Sequence, residues 1–144
     1  MNPFRGQWRD GWLVVPYHVL FSDIDAFGHV NNAVFFTYFE WARTQMWLEL
    51  TGREDVRGVT FIVARAECDF RLQLSLEPIE VRVRIQDMRT TSFDFVSEIR
   101  KTDGGALAAT GKVVVVLFDR DKQSKVPISD ALRSAVNAFQ NTEG

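Results

Sequence analysis

The segment from Asn32 to Leu50, NAVFFTYFEWARTQMWLEL, contains neither glycine nor proline and is apolar nearly all the way round. Spacing of i, i+4 and i+7 aligns Phe35, Phe39, Ala42 and Met46 on one stripe and Val34, Tyr38, Trp41 and Leu48 on another. Only Thr37, Glu40 and Thr44 make a polar seam. The spacing predicts a long helix, and so broad an apolar surface has to be covered around most of its circumference. Gly52, within TGR at 51–53, can take the left-handed conformation that ends a helix. A chain of 144 residues suits one ordinary domain spanning 1–144, so the cover comes from the rest of that domain.

The rest reads mostly as strand. WLVVPYHVLFSDID, 12–25, opens with β-branched and aromatic residues, and Pro16 within it marks an edge or a bulge. In FIVARAECDFRLQL, Ile62, Ala64, Ala66, Cys68, Phe70, Leu72 and Leu74 alternate with Val63, Arg65, Glu67, Asp69, Arg71 and Gln73. That period of two predicts an apolar face and a mostly charged face. The same pattern puts Ile79, Val81, Val83 and Ile85 opposite Glu80, Arg82, Arg84 and Gln86. SFDFVSEIRK places Phe93, Phe95 and Ile99 on one face, and DGG at 103–105 turns the chain into a long final strand. Ser129 can cap a short helix with Leu132, Ala135, Val136 and Phe139 inward. The order is strand, long apolar helix, about four meandering strands, then a terminal helix. Such segregation predicts an α+β fold, an antiparallel sheet of about five strands wrapped around one central helix.

Composition narrows the partners. Hydrophobic residues at 46% and charged residues at 25% are those of a soluble globular protein. A net charge of −2 gives no electrostatic case for nucleic acid or an anionic membrane. The single cysteine, Cys68, excludes an intrachain disulfide and any multi-cysteine metal site. The opening MNPFRGQWRDGWL lacks the apolar core of a signal peptide, and no run approaches the ~20 apolar residues that span a bilayer. The expectation is a cytoplasmic protein.

The most informative stretch lies just ahead of the helix. DIDAFGHVNNAVFFTYFEWAR, with its D-x-D-x-x-G-H-V-N-N run from Asp23 to Asn32 followed by Tyr38, Glu40, Ala42 and Arg43, resembles the head of the hotdog-fold acyl-CoA thioesterases related to 4-hydroxybenzoyl-CoA thioesterase. RTTSF, 89–93, is similar to the family strand that contributes a serine or threonine near the thioester, and KVPISDALRSAV to its proline-led terminal helix. Where members often carry a small residue and an aspartate before the third strand, this chain has Glu77 and Pro78, a difference expected to alter a turn and not the chemistry. The resemblance implies that Asp25 is the catalytic carboxylate, attacking directly or activating water. It also implies that the backbone amide of Asn32, at the helix start, hydrogen-bonds the thioester oxygen.

That chemistry suits these residues. A thioester carbonyl is already electrophilic, so hydrolysis needs an oxygen nucleophile and a stabilised oxyanion. A helix N-terminus offers unpaired N–H groups and about half a unit of positive charge. Gly28, without a side chain, lets substrate approach the turn, and Asp25 serves as base or nucleophile. His29 either donates to a substrate carbonyl, acts as a base, or orders the loop; Asn31 and Asn32 are also good cap residues in their own right. Asp23 is expected to bond backbone amides in the turn or cap the helix. Glu40 either pairs with Arg43 at i+3 or reaches an active site, its own or a neighbour's. Thr91 and Ser92 either touch the acyl or pantetheine part or simply begin a strand. His18 reads as a packed or surface residue and Cys68 as inert core. No metal or cofactor is required.

The expected substrate is an acyl-CoA, with acyl carrier protein as the other possible carrier. The rival function is a protein that binds acyl-CoA or acyl carrier protein without hydrolysis; a pure binder has no need of the Asp25 carboxylate. Hydratase relatives of the fold pair a histidine with an acid at other spacings, and no such second constellation is present. A sheet covered on one face leaves an edge strand free, which predicts a homodimer built by extending the sheet, or a dimer of dimers, with the active site between protomers as the resemblance implies.

Overall fold

The computed structural model describes residues 6–52 and 59–141; Arg53 of the expected stop signal and the first five residues lie outside them. A short strand β1 (Gln7–Arg9) precedes β2 (Trp12–His18), a 3-10 turn (Phe21–Asp23) and helix α1 (Asn32–Thr51). Four long strands follow: β3 (Val59–Phe70), β4 (Pro78–Gln86), β5 (Ser92–Lys101) and β6 (Leu107–Asp119). A two-residue β7 (Ser124–Lys125) and helix α2 (Asp130–Gln140) complete the described chain. Every strand pairing is antiparallel. Across the sheet the order is β1-β2-β4-β5-β6-β3, with β7 beside β6. The meander therefore holds for β4, β5 and β6, while β3 crosses over to the far edge.

Helix α1 touches β2, β4 and β3, strands from both sides of the sheet, as a wrapped helix requires. This is the hotdog architecture. Phe35, Tyr38, Phe39, Ala42, Met46 and Trp47 are buried against it, and Thr37, Glu40 and Thr44 stay exposed as the polar seam. Both ends carry the expected stops: the Asn31 side chain accepts from the Ala33 amide at 2.9 Å, and Gly52 sits at φ 63°. Phe39 packs so closely on β6 that a Cβ at Gly111 would collide with its ring. Helix α2 starts where Ser129 accepts from the Leu132 amide at 3.1 Å, and it buries Val136 with Leu132, Ala135 and Phe139 packed against the core. Pro16 pairs across to Glu80 of β4, while β1 reaches only as far as Val14, so its missing N–H leaves no ladder bond unmade.

One correction concerns β3. The register against β6 shifts between Val63 and Arg65, a bulge that leaves Ala64 unpaired. Phe61 and Val63 lie opposite the buried Leu117 and Val115 and so face the helix, whereas Ile62 faces away. Beyond the bulge Ala66, Cys68 and Phe70 share the helix side opposite Val113, Gly111 and Ala109. One extra residue inverts the phase of the pattern, so Ile62 and Ala66 do not share a face as an unbroken alternation demands.

Candidate active site

The turn between β2 and α1 is held by its own polar residues. Asp23 accepts at Oδ2 from the Leu20 amide and from the Tyr38 hydroxyl, both at 2.9 Å, tying the turn to the helix. Burial and the Asp23 carboxylate both push the Tyr38 hydroxyl pKa upward, which keeps that donor protonated. Ile24 and Val30 form an isolated antiparallel bridge, and between them Asp25 donates its amide to the His29 carbonyl at 2.9 Å. Gly28 closes the loop at φ 87°, with nothing within 4 Å of where a side chain would begin. Asp25 Oδ1 accepts from the Phe27 amide at 2.9 Å, an Asx turn that fixes the carboxylate. Its Oδ2 accepts no hydrogen bond from the described residues.

The start of α1 leaves one amide open. The Asn31 amide bonds the Asp23 carbonyl at 3.1 Å, that of Ala33 the Asn31 side chain, and that of Val34 the Asn31 carbonyl at 2.9 Å. The Asn32 amide has no partner among the described residues, and no acidic residue occupies the first turn. Asp25 and Asn32 both line a cavity of about 310 Å³, with His29 beside them. Phe27, Phe35, Phe70 and Leu72 form its apolar walls, and Arg71 and Gln73 its remaining side. Phe27 is 88% exposed, so it overhangs the cavity without joining the core.

The other expected site residues lie elsewhere. Gly28 and Asn31 shape the turn and the cap without lining the cavity. Thr91 and Ser92 are half-buried at the opposite end of the sheet, where the Leu117 amide bonds the Thr91 carbonyl at 2.8 Å; one chain does not bring them to Asp25. Glu40 and Arg43 approach only to 4.0 Å. The His18 ring lies 2.7 Å from the Val19 carbonyl, and Glu77 accepts from the Ser75 amide at 2.9 Å in the turn that departs from the family pattern. Missing from the sequence reading was the wall supplied by Phe70, Arg71, Leu72 and Gln73. Their periodicity marked a strand, but nothing local to them said that the strand's end lies against the 25–29 turn. A larger cavity of about 370 Å³ lies at the other end of α1, lined by Trp47, Leu50, Leu117, Leu132 and neighbours. Among the described residues that line it there is no carboxylate or histidine, so the smaller cavity is the candidate site.

Among the described residues no group of three or more histidine, cysteine, aspartate or glutamate side chains is placed to hold a metal ion, and no helix is long and apolar enough to cross a membrane. The family model of the thioesterase-like superfamily matches residues 19–136. The uncharacterised protein YsmA of Bacillus subtilis (strain 168) is 27% identical over 113 residues, covering 78% of this chain and 76% of its own. A thioesterase from Thermus thermophilus, solved with coenzyme A and zinc, is 30% identical, with TM-score 0.74 over 91% of this chain and 96% of that one. The PA5185 protein of Pseudomonas aeruginosa PAO1 superposes with TM-score 0.81 at 24% identity, covering 99% of both chains.

Proposed function

The chain belongs to the thioesterase-like superfamily, and from that premise we propose that it hydrolyses the thioester of an acyl-CoA to the free acid and CoA. Asp25 supplies the oxygen chemistry. As a general base its Oδ2 takes a proton from water as that water attacks the carbonyl; as a nucleophile it forms an anhydride with the acyl group, which water then cleaves. Either way the thiolate of CoA leaves and is protonated. The developing oxyanion is met by the Asn32 amide and the positive end of α1, a contribution of about 3–4 kcal/mol per donor in other enzymes. Gly28 and His29 give the thioester room and a polar edge. The observation that carries this reading is that Asp25 and Asn32 line the same cavity, the one with a carboxylate oxygen and the other with a helix-start amide that lack partners among the described residues. The neighbour solved with coenzyme A supports CoA as the carrier.

Thiol release from a panel of acyl-CoAs, followed with a thiol-reactive dye, tests it. Wild type is expected to release CoA, and Asp25→Ala to lose roughly 10²–10⁴-fold in rate. Tight acyl-CoA binding without release, or release unchanged in Asp25→Ala, points to the non-hydrolytic binder.

The reading includes a homodimer. β3 pairs with β6 on one side and with no described strand on the other, and Ile62, Val63 and Phe70 are exposed along it. Antiparallel pairing of two β3 edges continues the sheet and turns the Ser92 end of one protomer toward the Phe70 end of the other. That arrangement accounts for Thr91 and Ser92 of the partner subunit as substrate contacts that one chain alone cannot supply.

A further inference from the structure

Among the described residues, Arg43 on α1 is a charged side chain left without an adequate partner, as the Nε atoms of Arg82 and Arg84 on β4 also are. Its side chain is only 11% exposed, its Nε has no hydrogen-bond acceptor among the described residues, and the carboxylate it approaches among them, Glu40, is 4.0 Å away and itself 68% exposed. Burial lowers the pKa of the guanidinium, and Glu40 only partly offsets this. A buried cation with so little compensation is costly to the isolated protomer. Its position says where compensation can come from. Arg43 lies on the helix face of Phe36, two turns before it, and of Trp47, one turn after it. Phe36 meets Phe70 at one end of β3, with ring centroids 6.4 Å apart, and Trp47 meets Phe61 at the other, at 5.3 Å. Arg43 therefore looks over the middle of the free edge strand, where β3 carries Ala64 and Ala66 and leaves space. Arg65 and Glu67 of that stretch already pair with each other at 3.3 Å.

We propose that Glu40 of each protomer pairs with Arg43 of the partner subunit, a reciprocal clasp across the two-fold axis that sets how the two helices meet. This rests on the homodimer reading above. A two-fold at the middle of β3 runs the two copies of α1 antiparallel, and the midpoint of Asn32–Thr51 falls between Glu40 and Arg43. Each exposed carboxylate is thereby carried toward an underpaired guanidinium, twice per dimer. Close charge pairs at interfaces couple strongly enough that losing one changes affinity tenfold or more.

The test reads mass and dissociation constant by analytical ultracentrifugation, independent of turnover. Glu40→Arg, at an exposed position, is expected to raise the dimer dissociation constant at least roughly tenfold. Mixing Glu40→Arg with Arg43→Glu is expected to give a heterodimer, since each charge then meets its opposite across the axis. Should Arg43→Glu fail to fold alone, the double variant Glu40→Arg/Arg43→Glu is expected to recover the wild-type dimer. A dissociation constant unmoved by Glu40→Arg overturns the clasp, as does a double variant that recovers while the mixed singles do not, which marks the pair as intrahelical. A wild-type protein with the mass of one chain overturns the clasp and the dimer together, and leaves the thioesterase reading to its own assay.

Discussion

At the scale of single residues, three aspartates of one chain do three jobs because of what meets them. Asp23 is consumed by the Leu20 amide and the Tyr38 hydroxyl, whereas Asp25 keeps an oxygen without a partner among the described residues, and Asp94 is buried in a two-bond pair with Arg89. Tyr38→Phe should therefore lower stability by roughly 1.5–3 kcal/mol, read from its urea midpoint, because it removes one bond to a charged acceptor and leaves the ring packed. Cys68 makes a second prediction. Burial first, and then Asp69, raise its thiol pKa from 9.0 to about 11. Near neutral pH its thiolate is about 100-fold scarcer than that of an unperturbed thiol, so it should react correspondingly slowly with a thiol-reactive dye and give little background in the CoA-release assay. The folded state holds this proton more tightly than the unfolded chain. Its contribution to stability is thus full below pH 9 and is lost as pH rises toward 11, which a denaturation series across that range would show.

Among the elements, the helix was legible in the sequence and the edge strand only in part. α1 announces itself through Asn31, an apolar run and Gly52, all acting within a turn or two of where they sit. The bulge at Ala64 has no such local mark: Ile62 and Val63 are both apolar, and one unpaired residue decides which of them faces in. The site divides along the same line. Asp25, Gly28 and Asn32 are close in sequence and could be picked out by their spacing, while Phe70 and Leu72 join them only through sheet register and the bond from the Val30 amide to the Leu74 carbonyl at 2.9 Å. Helix and sheet also meet too closely at one point to tolerate change. Gly111→Ala would drive a methyl into the Phe39 ring and should cost roughly 1–3 kcal/mol, measured by thermal or urea denaturation.

For the whole molecule, the sheet's two ends differ. β1 and β2 finish one side with short pairing, while β3 offers twelve residues of backbone along the other. Light scattering should accordingly return the mass of two chains, or of four, and a lysine at Ile62 should shift the population toward one chain. Strand order also shapes how the protein is made. A ribosome releases α1, with its broad apolar surface, before any of β3 to β6, and β3 cannot find its neighbour until β6 has emerged. At roughly 5–20 residues per second, several seconds separate the two events. Throughout that interval α1 has only the β2, β4 and β5 side of the sheet to cover it and β3 stays unzipped, an exposed edge that makes translation pauses before β6 hazardous for yield.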